Sequence, residues 1–478
     1  MKGSKLFIAV CIFTSAFCHL TSYISAAQYT KLFDFTNDTI ALHGYHPYGS
    51  LVSDGTFLYG LVQFGGTYNF GTLFKIKPDG IGYSILINFS DTANGGSPPG
   101  SLIYDGTFLY GMTGSGVSSN HGSIFKIKPD GTGYSKLHDF TGKPDGDTPN
   151  GALMLDSTFL YGTTQLGGTS DSGTVFKIKT DGTGYIKLLD FTGPVNGREP
   201  SGDLISDGTF LYGMTEQGGT SDEGVIFKIK PDGTGFAKLL DFNGTNGRYP
   251  YGSFITDGTF FYGMTLEGGT HGLGTIFKIK PDGTGYSDLM DFSGHANGSL
   301  PIGSLITDGT FLYGMASAGG IKDSGVVFKI KPDGTGYSDL FDFAGTNGST
   351  PTGSLISDGT FLYGMTSQGG TGYCMHMTGC GVVFKLGVAS GITENNLEND
   401  VIISPNPTSG VFNLKMNQFE NLKMKDVEIY NVMGECIHRQ IVKSSNFQID
   451  LSAAKSGVYF LQLKTENEIG MKKIVISR

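Results

Sequence analysis

Apolar and polar residues alternate along most of this chain in short bursts, and the bursts recur on a fixed beat. Across residues 304–343 the bursts are Ser304–Thr307, Thr310–Met315, Val326–Lys331 and Tyr337–Phe343, with the length and period of half-buried β-strands. Turn residues separate them. Asp308-Gly309 stands between the first and second, a pair that favours a type I′ hairpin because both positions tolerate positive φ. Pro332-Asp333-Gly334-Thr335-Gly336 stands between the third and fourth, where proline presets the turn and the glycines supply left-handed positions. The whole unit occurs seven times. The Tyr of its LYG or FYG core falls at Tyr59, Tyr110, Tyr161, Tyr212, Tyr262, Tyr313 and Tyr363, in steps of 51, 51, 51, 50, 51 and 50 residues. A period near fifty with strands inside it predicts an array or a propeller.

Four antiparallel strands per unit, a to d, make one propeller blade. There are seven complete a–b–c sets, but the last ends at Phe384-Lys385-Leu386 with no d strand after it. A lone d-like strand, Tyr29–Phe35 (YTKLFDF), stands before the first set and matches Tyr337–Phe343 (YSDLFDF). The expected fold is therefore all-β: a seven-bladed β-propeller over residues 28–388, closed by the N-terminal strand beside Gly381–Leu386 so that no blade edge stays open. A linear β-solenoid is the rival, although its repeats are usually shorter and parallel. The third unit has Asp156-Ser157 in place of Asp-Gly, which predicts a slightly strained turn there.

Composition sharpens this picture. The 76 glycines, more than twice the usual share, sit at fixed places in the period, and with no Trp the core falls to 35 Phe and 23 Tyr. A net charge of −10 without a dense Lys/Arg run argues against a nucleic-acid partner. No long apolar run lies beyond the N-terminus, so no membrane span is expected in the mature protein. Residues 1–27 read as a secretory signal, with Lys2 and Lys5, the apolar Leu6–Phe17 and the small Ser25-Ala26-Ala27. Cys11 and Cys18 leave with it, and Cys374, Cys380 and Cys436 remain in a compartment where disulfides persist. Residues 389–400 read as a polar linker, and 401–478 as a separate small domain.

DGTFLYGMT, GGT, FKIKPDGTGY and the DF that follows resemble the GloVer-type tandem repeats of bacterial exported proteins. The resemblance implies an exported β-repeat protein and brings no catalytic residue. The Gly-Gly doublet is similar to that of kelch propellers, without the kelch Trp, an analogy of fold alone. In the C-terminal segment, ISPNPTSGVFNL (Ile403–Leu414), VEIYNVMGE (Val427–Glu435), IDLSAAKSGVYFLQL (Ile449–Leu463) and KKIVISR (Lys472–Arg478) resemble the type A sorting domain of type IX secretion. That resemblance implies the type IX secretion machinery as partner, export across the outer membrane, and later removal of the domain with release or attachment to the cell surface. The residues themselves alternate between Gly, Pro and Asn turns, which predicts a small β-sandwich.

Candidate chemistry is sparse. Cys374 and Cys380 lie in TGYCMHMTGCG, an enlarged b–c loop of the seventh unit, and a short disulfide-closed loop is the first reading. Capture of a soft ion by Cys374, His376 and Cys380 with Met375 or Met377 is the alternative, though the spacing matches no structural zinc pattern. Asp171, Asp222, Glu223 and Asp323 recur in b–c loops without a calcium-ligand series and read as solvated loop carboxylates. His43, His46, His121, His271, His295 and His376 are scattered over loops with no identifiable partner. The repeated Tyr of LYG reads as core packing. No triad signature, phosphate loop or metalloprotease motif is present, and neither a cofactor nor a metal is implied.

The strand order places function. The a–b and c–d turns share one face and are short and nearly invariant; the d–a and b–c connections share the other and vary. Loops on a rigid scaffold carry function, so the second face is the candidate. Each d–a connection ends in Pro-x-Gly, whose x residues should ring the channel mouth: Tyr48, Pro99, Asn150, Ser201, Tyr251, Ile302 and Thr352. The fourth and fifth units add Arg198, Glu216, Gln217, Arg248, Tyr249 and Glu267. Tyr and Arg are favoured anchors, which points to Arg248, Tyr249 and Tyr251 for a polar ligand. The leading expectation is a surface or extracellular binding module for a glycan or protein ligand. A secreted glycan-processing hydrolase or lyase and a structural surface component are the alternatives. A deep axial pocket with paired acids or a metal would favour the enzyme.

Overall fold

The computed structural model describes residues 29–36, 42–116, 120–374 and 377–387, and in the C-terminal region 401–406, 408–416, 426–431, 436–441, 444–464 and 469–477. The expected signal and linker lie outside them, as do Met375 and His376. The described residues are all-β, without a helix. Residues 29–387 form seven four-stranded antiparallel sheets in a propeller-like arrangement. A representative sheet runs Ile306–Thr307, Leu312–Ala316, Val326–Ile330, Ser338–Asp342, each strand beside the next in sequence.

Local chemistry explains the motif. In strand b, Gly314 stands opposite Phe328 of strand c, and a Cβ there would come within 2.6 Å of the Phe328 ring. Glycine thus makes room for the aromatic ring to lie across its neighbour. The same pairing recurs, as at Gly60 with Phe74 and Gly263 with Phe277.

The a–b turn differs from the type I′ expectation. Gly55 has φ +87° while Asp54 and Thr56 are not left-handed, and Asp54 N–H donates to Phe57 O. The two central residues are therefore Gly-Thr, with glycine at the position a type II′ turn requires. Asp54 flanks the turn, and its Oδ1 accepts the amides of Thr56 and Phe57, both at 2.7 Å. In the third unit Asp156 keeps these bonds, and Ser157 is not at positive φ. The strain expected at Asp156-Ser157 is absent because the aspartate, not the second residue, holds the turn.

The other carboxylate oxygen of each turn aspartate accepts the hydroxyl of the repeated tyrosine. The distances run from 2.7 Å (Tyr59 to Asp54) to 2.9 Å (Tyr161 to Asp156). The tyrosine is thus both core and tie. Burial raises its pKa, and the aspartate raises it further. Strand c adds a lysine over the phenylalanine that ends the turn, 4.5 Å for Lys329 over Phe311 and 4.9 Å for Lys75 over Phe57. Several of these lysines also donate to the c–d turn of the next sheet, as Lys177 does to Pro231 O at 2.6 Å.

Between sheets the core is a series of like clusters. Tyr262, Met264 and Phe292 of the fifth sheet pack with Leu305, Leu312 and Phe328 of the sixth, and equivalent clusters join every consecutive pair. A further cluster joins Tyr363, Met365 and Val383 of the seventh to Leu51, Leu58 and Phe74 of the first, with Phe35 between them. Burying each such side chain contributes about 2 kcal/mol.

The N-terminal strand Tyr29–Asp34 is the fourth strand of the seventh sheet, with Tyr29 opposite Leu386 and Asp34 opposite Val382. It repeats the bonds of the other d strands. Phe35 N–H donates to Gly381 O at 3.0 Å, as Phe89 N–H does to Gly71 O. Asp34 accepts the Thr371 amide, as Asp291 accepts that of Thr270. The loop carrying Cys374 and Cys380 reaches over this strand: Tyr373 N–H donates to Thr36 Oγ1 at 3.3 Å, and Thr36 Oγ1 donates to Tyr373 O at 3.2 Å. The Cα atoms of the two cysteines stand 5.6 Å apart, a span that a disulfide bridges.

The C-terminal region holds a three-stranded sheet (Val401–Ser404, Val411–Met416, Asn446–Asp450) and a four-stranded one. The second runs Cys436–Ile441, Asp426–Asn431, Gly457–Lys464, Ile469–Ile476. Phe412, Leu414 and Ile449 of the first share a core with Val427, Ile429, Leu461 and Ile474 of the second, a small two-sheet sandwich.

Candidate functional site

On the face of variable loops the backbone is as regular as the motif. The residue before the Pro of each Pro-x-Gly is left-handed without being glycine: His46, Ser97, Thr148, Glu199, Tyr249, Leu300 and Thr350, with φ between +48° and +58°. Residues before proline prefer extended backbone, so each must be held in place. The Tyr249 amide donates to Glu223 O of the preceding sheet at 3.0 Å, and Tyr249 O accepts the Leu266 amide of its own sheet at 3.0 Å. Equivalent bonds hold Glu199, Leu300 and Thr350. The b–c loop residues Asp171, Asp222 and Asp323 are left-handed as well, and each Oδ1 accepts an amide of its own loop. They are turn residues, which fits their reading as loop carboxylates.

The glycine of Pro-x-Gly faces the same glycine of the next sheet. A Cβ on Gly49 would collide with the Gly100 carbonyl, one on Gly252 with that of Gly303, and one on Gly353 with that of Gly49. The next residue completes the junction. Ser253 N–H donates to Ser304 Oγ at 2.7 Å, Ser304 N–H to Ser354 Oγ at 2.8 Å, and Ser354 N–H to Ser50 Oγ at 2.8 Å. The third and fourth sheets break the series with Ala152 and Asp203, and there the Ala152 amide donates to Asp203 Oδ1.

All seven x residues line one cavity of about 60 Å3, with the serines and Asp203 beneath them. The structure thus brings together Tyr48, Asn150 and Tyr251 of the sequence-derived candidates. The Tyr48 and Tyr251 rings stand 6.5 Å apart at 67°, and Asn150 Nδ2 donates to the Tyr251 hydroxyl at 3.3 Å. Burial raises the Tyr48 hydroxyl pKa, with the charge of Glu216 among the further causes. Glu216 reaches this group through Ser201, whose Oγ donates to its Oε2 at 3.1 Å. Burial pushes the Glu216 carboxyl above the ordinary range, and neighbouring Glu199 adds to it. Burial likewise raises Asp203, against the Ala152 amide and Ser253.

The remaining candidates are not among the residues lining this cavity, and their arginines are held in ion pairs. Arg198 bonds Asp222 at 2.9 Å and Glu199 at 3.1 Å, and Gln217 Nε2 donates to Glu199 at 2.9 Å. Arg248 pairs with Glu267, opposite it across a β-bridge, lies 3.9 Å from Glu223, and covers the Tyr249 ring at 5.3 Å. His121 bonds Asp147 at 2.8 Å, and His43 packs edge-on against Phe33 and Tyr83. Asp203 is absent from the sequence-derived set. Its signal was a GDLI where five other units carry serine at the second position and the third carries Ala152. Among the described residues no group of three His, Cys, Asp or Glu converges as a metal site would.

The sequence pattern of the Gloeobacter/Verrucomicrobia repeat matches residues 19–158, 93–260 and 255–399. That of the secretion system C-terminal sorting domain matches residues 403–477, which marks the chain for export by the type IX machinery to the cell surface or extracellular space. No curated protein matches the chain. Among solved structures, the extracellular domain of a hybrid two-component system from B. thetaiotaomicron is similar at a TM-score of 0.50 and 13% identity, over 95% of this chain and 60% of that one. PorZ, a surface component of the type IX secretion system of Porphyromonas gingivalis, is similar at 0.33 and 11%, over 89% of this chain and 64% of that one. At such identities the likeness concerns fold alone. No helix among the described residues is long and apolar enough to cross a membrane.

Proposed function

We propose, on the premise that this chain belongs to the Gloeobacter/Verrucomicrobia repeat family, that it is an exported binding protein built as a closed seven-bladed propeller with its ligand site at the loop-face mouth of the central channel. Closure is supported by the shared core and abutting glycines of the seventh and first sheets. The observation that carries the binding reading is the cavity at which all seven units meet, where Tyr48, Asn150 and Tyr251 present hydroxyl, amide and ring surface. Such groups suit a polar ligand, a glycan or a peptide. Residues 1–27 are removed as a signal, and the segment after about residue 400 is cleaved once the chain is outside.

A glycan and protein binding screen on the purified chain tests the reading. Once a ligand is found, Ala at Arg248, Tyr249 and Tyr251 together should weaken it at least tenfold with little change in Tm. Affinity that survives all three substitutions places the site elsewhere. Turnover of a bound glycan replaces binding with hydrolase or lyase activity.

A further inference from the structure

Because the units are nearly identical, each departure from the pattern can be located. At the position after the Pro-x-Gly glycine, five units carry serine, one carries Ala152, and the fourth carries Asp203. At the loop-face end of strand b, the fourth unit carries Glu216 where every other unit has a neutral residue. Both acids therefore come from one unit, and both lie near the mouth: Asp203 in the cavity wall, Glu216 bonded to Ser201 of that wall.

These carboxylates have no cation of their own. No Lys, Arg or His occupies either position or the x position in any unit. Among the described residues no ion pair reaches Asp203 or Glu216, and the two nearby guanidiniums are bound by other acids. Desolvated carboxylates held only by neutral donors are costly to keep ionised, and burial raises both of these. In the same cavity, Tyr48 and Tyr251 set two rings at an angle that forms a corner, and aromatic faces attract ammonium groups. A calcium ion would want six or more oxygens. Here a single carboxylate stands in the ring, and the serines at 50, 253, 304 and 354 already accept backbone amides.

We propose that the mouth recognises a primary ammonium on a flexible alkyl chain, as on a lysine side chain of a peptide, held between the Tyr48–Tyr251 corner and the carboxylates of the fourth unit. This rests on the reading of the mouth as the ligand site. Both arginines are already bound by acids, so an anionic sugar such as a uronate is expected to bind more weakly than the ammonium.

The test uses the full chain and n-butylammonium, with n-butanol and n-butyrate as neutral and anionic isosteres, each titrated by NMR at pH 7. The ammonium should bind at least tenfold more tightly than either isostere. Glu216→Gln should reduce that preference about tenfold, and Tyr251→Ala should weaken the ammonium similarly with Tm unchanged. Equal binding of the three probes, binding of none, or a Glu216→Gln preference like the parent's overturns the proposal. Displacement of the ammonium by millimolar calcium overturns it in favour of a metal site. A neutral glycan from the binding screen that is lost in Tyr251→Ala would remove the ammonium selectivity while keeping the mouth as the site. An ammonium that binds Tyr251→Ala undiminished would remove the location.

Discussion

The two faces of the repeat domain are held by opposite means. On the turn face the side chains are fixed: an aspartate caps its turn and holds a tyrosine, and a lysine covers a phenylalanine, in unit after unit. On the loop face the backbone is fixed, through left-handed residues bonded fore and aft, while side chains differ from unit to unit. Tying a loop through its main chain leaves its surface free to vary. That is why Glu199, Tyr249 and Leu300 can share one conformation and have nothing else in common.

The largest effect expected comes from breaking the strand both faces depend on. Deleting residues 28–36 removes Tyr29, Phe33 and Phe35 from two clusters, a loss of about 6 kcal/mol. The shortened chain should aggregate or melt far below the parent; an unchanged Tm would overturn closure by this strand. Next is the turn face. Asp257→Ala removes three hydrogen bonds from one turn and should cost about 2 kcal/mol, read by denaturant unfolding. Exchanging both Cys374 and Cys380 for Ser should cost a similar amount, about 2 kcal/mol for so short a loop. Limited proteolysis should then cut first near Thr36, where that loop clasps the N-terminal strand. If the thiols are free in the exported protein, mass measurement with and without reductant shows no difference.

Acid should separate the faces by sign. Burial acts upward on the turn aspartates, but the two amides and the tyrosine hydroxyl outweigh it and lower them. Their contribution is present above about pH 4, the unfolded value, and is lost as pH falls through the lowered folded value. Asp203 and Glu216 are raised, so their penalty is absent below about pH 4 and grows as pH rises toward the folded value. Glu216→Gln should therefore raise Tm slightly at pH 7 and leave it unchanged near pH 4, whereas Asp257→Asn should lower it at pH 7. The smallest effect belongs to the rim. Arg248→Ala should shift stability by less than about 0.5 kcal/mol, as exposed ion pairs do, read by denaturant unfolding.

Much of the fold was legible because the chain states it seven times. Four bursts per period, the unmatched YTKLFDF and the missing last d strand led to the sheets and to the partner of Tyr29–Asp34. What misled were local rules overridden by a neighbour. Asp-Gly suggested a type I′ turn, but the aspartate carboxylate accepts the turn amides and moves the centre one residue on. The left-handed residue before each Pro-x-Gly was not read from the sequence, because proline alone favours an extended residue there and the bonds that hold the turn come from neighbouring sheets. At the mouth, the x positions were read from strand order, whereas the ion pairs of Arg198 with Asp222 and of Arg248 with Glu267 do not show in sequence. Asp203 was visible as the one acid at a position that carries serine in five units and Ala152 in another.

The seventh sheet, assembled from both ends of the repeat region, sets the order in which this protein can mature. Its first strand precedes the other strands of the repeat region and stands about 350 residues from its partner. Joining ends that far apart in an unstructured chain would cost about 5 kcal/mol in loop entropy. Folding of the intervening sheets first, each against the last, would remove most of that cost by bringing the two ends toward each other. Until residues 382–387 arrive, Tyr29–Asp34 remains an unpaired strand of the kind other chains can capture. The time between the first strand and the last is when this protein is most exposed to its own copies.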